Sequence, residues 1–280
     1  MGKWKLCGST AIIALLAGTG AFADVTPEEV WQNWQDTAAS TGQTIAAASA
    51  TRDGDALVVS GVTITGDQDG VKTNGTIEKM TFTDQGDGTV VVTFSDTIAM
   101  TVDAPAAEGT SGPSSMTVDI SMPGAATTAS GTPEALNYAL VAPTVDVTTK
   151  ALNATDPNAT DATLTIGATN LTQTYTVEAA GEAKEMAGDF AAETAKLSID
   201  GSDKEAQSDV NTAVTVANLA GKMSGNFLGA EAMEDMAAAL KAGFAMESAV
   251  TYGAMTVDMT VTEAGKPTKI VGTSDSGDMS

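Results

Sequence analysis

The sequence predicts a mainly β protein of the α+β type, with long twisted antiparallel strands in one or two curved sheets and a few amphipathic helices packed on them. Three observations carry this. Apolar residues alternate with polar ones over long stretches, as in strands with one buried and one wet face. Asx-Gly dipeptides punctuate those stretches. Helical spacing is confined to short segments.

The first element is a helix. Thr26-Pro27-Glu28-Glu29 has the residues of a capping box: a threonine cap, proline in the first turn and glutamate three residues on. Val30, Trp31, Trp34 and Ala38 then fall on one face, and Gly42 is a plausible stop. Two tryptophans on a short helix imply a docking face; packing onto a sheet is the ordinary use, an aromatic ligand platform the sharper one.

From Gln43 onward the period is two. Val90, Val92, Phe94, Ile98, Met100 and Val102 share one parity, with Thr93, Ser95, Thr97, Thr101 and Asp103 on the other. Met116, Val118, Ile120 and Met122 alternate with Thr117, Asp119 and Ser121. Further strands are expected over 44–51, 55–65, 76–83, 135–149, 162–178, 195–200, 212–226, 244–262 and 268–273. Asp53-Gly54, Asp69-Gly70, Asn74-Gly75, Asp87-Gly88 and Asp200-Gly201 are the expected turns. The buried parity switches near Thr169-Asn170, and again at Gly253, which implies a bulge or bend. Two more helices are expected, over Ala183–Thr194 and Glu231–Ala242. The segment 104–114 is the best loop or lobe boundary. The final stretch, Gly272–Ser280, reads as a turn leading into another strand, so the tail is expected to be disordered or the chain shorter than a parent protein.

Residues 1–23 have the layout of a cleavable signal peptide. Lys3 and Lys5 precede the apolar run Ala11–Ala17, and Ala21-Phe22-Ala23 supplies small residues before a cut at Asp24. The apolar run is shorter than the ~20 residues of a spanning helix. The product, residues 24–280, is expected to be periplasmic or secreted, with no membrane span after cleavage. Cleavage removes the only cysteine, Cys7, and shifts the formal charge from −23 to −25. The exported domain must therefore be held by packing without disulfides, and its length allows a real core.

The composition closes several kinds of chemistry. The chain has no histidine, which excludes Ser-His and Cys-His pairs, histidine metal sites and imidazole acid–base work. Strong acidity argues against nucleic acid and against charge-driven binding to anionic lipid. Asp67, Asp69, Asp84 and Asp87 lie near glycines, but the glutamate spacing of a calcium loop is missing and hairpin turns explain them. The near-duplicate Asn153-Ala-Thr155-Asp156 and Asn158-Ala-Thr160-Asp161 reads as loop. No phosphate loop, CxxC or nucleophile elbow is present. No catalytic, cofactor-binding or metal residue is assigned, and no cofactor is expected. Methionines such as Met80, Met100, Met223, Met246 and Met259 are core filler or, on the sharper reading, part of a Met- and Val-lined concave face for acyl chains.

Several stretches together are distinctive: Ala23-Asp24-Val25-Thr26-Pro27-Glu28-Glu29-Val30-Trp31-Gln32-Asn33-Trp34, Met233–Leu240, Tyr252-Gly253-Ala254-Met255 and Gly265-Lys266-Pro267-Thr268-Lys269-Ile270. They resemble a family of exported alphaproteobacterial proteins known as a domain of unknown function, over essentially the whole mature chain. The resemblance implies export and a relative longer than this chain; it brings no catalytic residues with it.

Three functions are therefore expected in order. The first is a non-enzymatic periplasmic protein that binds an apolar or lipid-like ligand or supports the envelope. The second is an envelope interaction module using a sheet edge or the Trp31/Trp34 helix. The third is a carboxylate-based glycan hydrolase. A transmembrane β-barrel is the rival fold, disfavoured by the acidic charge, the missing aromatic girdles and the tryptophan helix.

Overall fold

The computed structural model describes residues 25–40, 42–68, 70–104, 114–133, 135–152, 161–180, 183–203, 208–227 and 236–279. Helix α1 spans Pro27–Ser40. Its cap closes as the residues imply: Glu29 Oε2 accepts from the Thr26 backbone N–H at 2.8 Å, and Thr26 Oγ1 accepts from the Glu29 N–H at 3.3 Å. Gly42, at φ 75°, follows the last turn and donates its N–H to Ala39 O at 3.1 Å.

All fifteen strands belong to one antiparallel sheet. The first five are β1 (Gln43–Asp53), β2 (Ala56–Gln68), β3 (Val71–Asp84), β4 (Val90–Phe94) and β5 (Thr97–Ala104). The next five are β6 (Ser114–Ser121), β7 (Ala126–Thr132), β8 (Ala135–Leu152), β9 (Asp161–Ala180) and β10 (Ala183–Asp203). The last five are β11 (Ser208–Phe227), β12 (Ala245–Tyr252), β13 (Met255–Glu263), β14 (Lys266–Ser274) and β15 (Gly277–Met279). A short helix, α2 (Met236–Lys241), precedes β12.

The topology is simpler than fifteen strands suggest. β4 and β5 both pair with β3, β6 and β7 both pair with β8, and β12 and β13 both pair with β11. Each such pair is one long strand interrupted once, and β14–β15 is another. The sheet is thus an up-and-down meander in which chain order and spatial order coincide. Among the described residues β1 pairs only with β2 and β14 only with β13, so the sheet has two edges.

The interruptions lie on one line. Ala48 and Gly61 drop out of the β1–β2 register, and Gly61 and Glu78 out of β2–β3. The breaks between β4 and β5 and between β6 and β7 continue it. It then passes through Pro143 and Asn170, through Glu193 and Asn218, and through the break between β12 and β13. Gly61, Asn170 and Asn218 adopt positive φ there, at 61°, 49° and 51°. The Asn170 side-chain amide donates to the Glu193 carboxylate across this seam. Across β1–β3 and β8–β11 the unpaired residues lie opposite one another and the register is the same on both sides, so no strand there gains a residue on its neighbour: the seam is a shared break in the pleat, not a row of β-bulges.

The seam explains the parity switches. In β2 the buried residues change from Leu57 and Val59 to Val62; in β3, from Met80 and Phe82 to Ile77. A one-residue slip would turn every later side chain to the opposite face. Every strand makes the shift at the same height, so apolar residues stay on one face of the sheet on both sides of the seam.

α1 lies on that face. Trp31 and Trp34 meet the Phe82 ring edge-on at 5.8 and 5.4 Å, and Trp34 stacks on Phe94 at 5.8 Å. Val25, Val30, Trp31, Leu57, Val59, Val62, Ile77, Met80, Phe82, Val90, Val92, Ala129, Leu136 and Tyr138 form the core cluster. Arg52 on β1 reaches Glu28 at 3.5 Å, and Gln35 Nε2 donates to Ile45 O on the edge strand at 3.1 Å. The core therefore sits between α1 and β2–β8.

Several expectations need correction. Ala183–Thr194 is strand, not helix. Met186 and Phe190 share a face at a spacing that also suits a helix, but β9 and β11 hydrogen-bond β10 on both sides and override the helix-forming alanines and glutamates. Asn74-Gly75 and Asp200-Gly201 are not turns. Gly75 faces Ile64 in the ladder, where an added Cβ would lie 3.2 Å from Met100 Cγ, and Asp200 pairs with Thr163 and Asn211. These glycines serve close packing and extended backbone instead. The sequence reading did not identify β7, whose ATTASGT has no bulky residue to mark its period. At the bulge or bend expected near Thr169-Asn170 the backbone turns to positive φ at Asn170 with the register unchanged, and the expected switch at Gly253 falls at the break between β12 and β13. Helix α2 falls within the expected Glu231–Ala242, of which 231–235 lie outside the described residues. So do residues 1–23, Asp69, the Asn153–Thr160 stretch and 105–113; the latter connects β5 and β6, which pair with each other. The expected final turn precedes β15, which pairs with β12.

Two stability measurements test this layout. Phe82→Ala is expected to cost about 3–5 kcal/mol in urea unfolding, whereas Leu197→Ala on β10 costs less than about 1 kcal/mol; equal losses would contradict a core confined to the α1 side. Gly61→Ala is expected to destabilise by about 1–2 kcal/mol for its left-handed backbone, with more from a Cβ placed 2.9 Å from Ala48 Cβ; an unchanged urea midpoint would refute the strain.

Candidate functional site: the uncovered apolar face

Beyond β8 the apolar face continues, but among the described residues its cover does not. Cross-strand partners point to the same side of a sheet, so the register identifies which residues share it. One row crosses the whole sheet just past the seam. It runs Ala47–Val62–Ile77–Ile98–Ile120–Val147–Ile166–Leu197–Val214–Val257–Gly272, partner by partner. Every position is apolar or glycine. At ~4.8 Å per strand spacing the row is about 48 Å long.

Burial fades along it. Val62 and Ile77 are buried, Ile98, Ile120 and Val147 half-buried, while Ile166 is 46% and Leu197 36% exposed. The next row, Ile64–Gly75–Met100–Val118–Thr149–Leu164–Ile199–Thr212–Met259–Ile270, behaves alike, with Ile199 41% and Ile270 54% exposed. Met116, Val210, Met223 and Met246 are exposed on the same side. Isolated exposed aliphatics are ordinary, but a contiguous patch marks a surface that something covers.

Apart from Glu193 at the seam, no charged residue occupies this face within 162–176 of β9, 186–201 of β10, 210–225 of β11 or 255–261 of β13; at the strand ends Glu263 and its ladder partner Lys266 lie on it. Charges take the other parity: Asp189 meets Lys222 at 3.5 Å and Asp258 meets Lys269 at 2.8 Å. A depression of about 440 Å³ on that polar side has Ala191, Ala220 and Ala249 in its lining.

Two tyrosines mark the border between covered and uncovered halves. Tyr138 and Tyr175 stack with centroids 4.8 Å apart. The Tyr138 hydroxyl donates to Asn33 Oδ1 on α1 at 2.7 Å. Burial raises the Tyr138 phenol well above its usual value; the Tyr175 phenol beside it adds to the rise. The neighbouring Trp34 indole N–H, buried without an acceptor in good geometry, opposes part of it. Burial pushes Tyr175 up to about 12.

The sequence-predicted features distribute as follows. Trp31 and Trp34 are engaged in the core, as a docking helix requires. The methionines divide: Met80 is buried, while Met116, Met223 and Met246 lie on the open face. Asp84 and Asp87 accept bonds from Gly86 and Thr89 within the β3–β4 turn. Among the described residues no group of three or more Asp, Glu or Cys is placed to hold a metal. Likewise no described helix is long and apolar enough to cross a membrane. The aliphatic rows themselves escaped the sequence reading, because a row joins residues far apart in the chain. No family model, no curated protein and no solved structure matches the chain.

The tyrosine border has a pH signature. Both phenols hold their protons more tightly folded than unfolded, so stability is fully present below pH ~10 and falls as pH rises toward the folded values. Urea midpoints measured from pH 9 to 12 should decline above pH ~10, and Tyr175→Phe should flatten the decline; an unaltered slope in that variant would disprove the assignment.

Proposed function

We propose that this is an exported, periplasmic, non-enzymatic protein that binds an apolar, lipid-like ligand on the uncovered face of β9–β14. The observation that carries the reading is the aliphatic row through Ile166, Leu197, Val214 and Val257, free of charge and left open beside a core of the same residues under α1. Burying such a surface contributes roughly 25 cal/mol per Å² of apolar area removed from water. The leader-like residues 1–23 and the family resemblance support export. We take the sheet to curve along the seam, where Gly61, Asn170 and Asn218 adopt positive φ.

The edges favour this reading over an interaction module. β14 carries Lys266, Pro267 and Lys269, residues that discourage strand addition. Edge strand β1 is tied to α1 through Gln35 and Ile45 O.

Native mass spectrometry of gently purified protein is expected to show bound lipid-sized adducts, and a fluorescent fatty-acid analogue should brighten on titration. Leu197→Asp should reduce that signal at least tenfold with an unchanged circular dichroism spectrum. Protein that arrives empty and ignores the probe would remove the proposal.

A further inference from the structure

We infer that Met186, Met223 and Met246 form a thioether site for a soft monovalent cation, Cu(I). The site lies on β10–β12 and is independent of what else the apolar face binds. Three observations support it.

The first is placement. All three strands carry one local pattern here: Met186-Ala187-Gly188, Met223-Ser224-Gly225 and Met246-Glu247-Ser248. In each, a methionine is followed two residues on, and so on the same face, by a residue with little or no side chain. β11 runs antiparallel to its neighbours, so the register interleaves the patterns. Met186 faces Gly225, which faces Met246, while Gly188 faces Met223, which faces Ser248. Met223 is therefore the diagonal neighbour of both other methionines, at a separation of about 7–8 Å that long side chains bridge.

The second is room. Gly188 and Gly225 leave the floor between the three side chains bare. Neither position has space for a Cβ, which would lie 2.5 Å from Thr174 O at Gly188 and 2.5 Å from Ala245 O at Gly225. Met223 is 43% and Met246 59% exposed, and Met186 is half-buried. Met80, which does fill the core, is 2% exposed. Each thioether turns on three rotatable bonds, so the three can converge over the bare floor on an ion that arrives from solvent.

The third is chemistry. Thioethers are soft, neutral ligands that favour Cu(I), whereas Zn and the hard divalent ions prefer imidazole, thiolate or carboxylate. The chain has no histidine, and its one cysteine, Cys7, lies outside the described residues. Among the described residues no group of three or more Asp, Glu or Cys competes for a metal. Neutral ligands leave the ion its positive charge, and a chain of formal charge −23 draws cations toward it.

The test uses the full chain carrying Cys7→Ser, so that thioethers are its only soft ligands. It is titrated with Cu(I) under anaerobic conditions against the chelator bicinchoninate. A single saturable site is expected, and X-ray absorption should show sulfur in the first coordination shell. Met186→Leu, Met223→Leu and Met246→Leu keep size and apolarity; each should weaken Cu(I) binding at least about tenfold. Met116→Leu, exposed elsewhere on this face, should leave it within about twofold. The leucine variants should still brighten the fluorescent fatty-acid analogue, so loss of the cation site and loss of lipid binding are read separately. Absence of a saturable Cu(I) site, or a first shell of oxygen in the chain that keeps its methionines, would overturn the inference whatever the variants do. So would a site that survives all three leucines together in a protein with an unchanged circular dichroism spectrum.

Discussion

Everything in this sheet depends on the single line of unpaired residues that crosses it. Side chains alternate strictly along a strand, so strands as long as β9, β10 and β11 must keep one parity apolar from end to end. Here the parity changes midway in every one of them. Tyr175 and Leu171 give way to Ile166, Phe190 gives way to Leu197, and Met223 gives way to Val214. An unpaired residue at the seam restores the face each time. Because all neighbours place the unpaired residue at the same height, their ladders stay in register on both sides. A single strand without that shift would present its second half to the wrong side of the sheet.

That shared face is used unequally. Under α1, aromatic contacts from Trp31 and Trp34 complete a core in which Phe82, Val90 and Val92 are fully buried. Past the Tyr138–Tyr175 stack the same kind of residue points into the open. The polar side meanwhile collects the charges, as in the Asp189–Lys222 pair. A chain with a single cysteine forms no internal disulfide, so stability rests on packing in the α1 half, and the other half is free to present apolar surface. This division of labour joins packing to the proposed function.

The seam also limits what kind of chemistry the face supports. Its rows are mostly aliphatic carbon, small residues and glycines, with Asp189, Lys222, Asp258 and Lys269 on the far side of the sheet and Glu263 and Lys266 only at the strand ends.

Sequence alone determined the strand content, the capped tryptophan helix and the two parity switches near Asn170 and Gly253, because each is written in residues adjacent along the chain. It misread Ala183–Thr194 as helix and Asn74-Gly75 and Asp200-Gly201 as turns, since local propensity there loses to ladder pairing on both sides. Only the tertiary structure decided that every strand breaks at one height, and that Ile166, Leu197, Val214 and Val257 form one open row. The physical reason is that a row's neighbours are set by register between strands, which no period within a strand encodes.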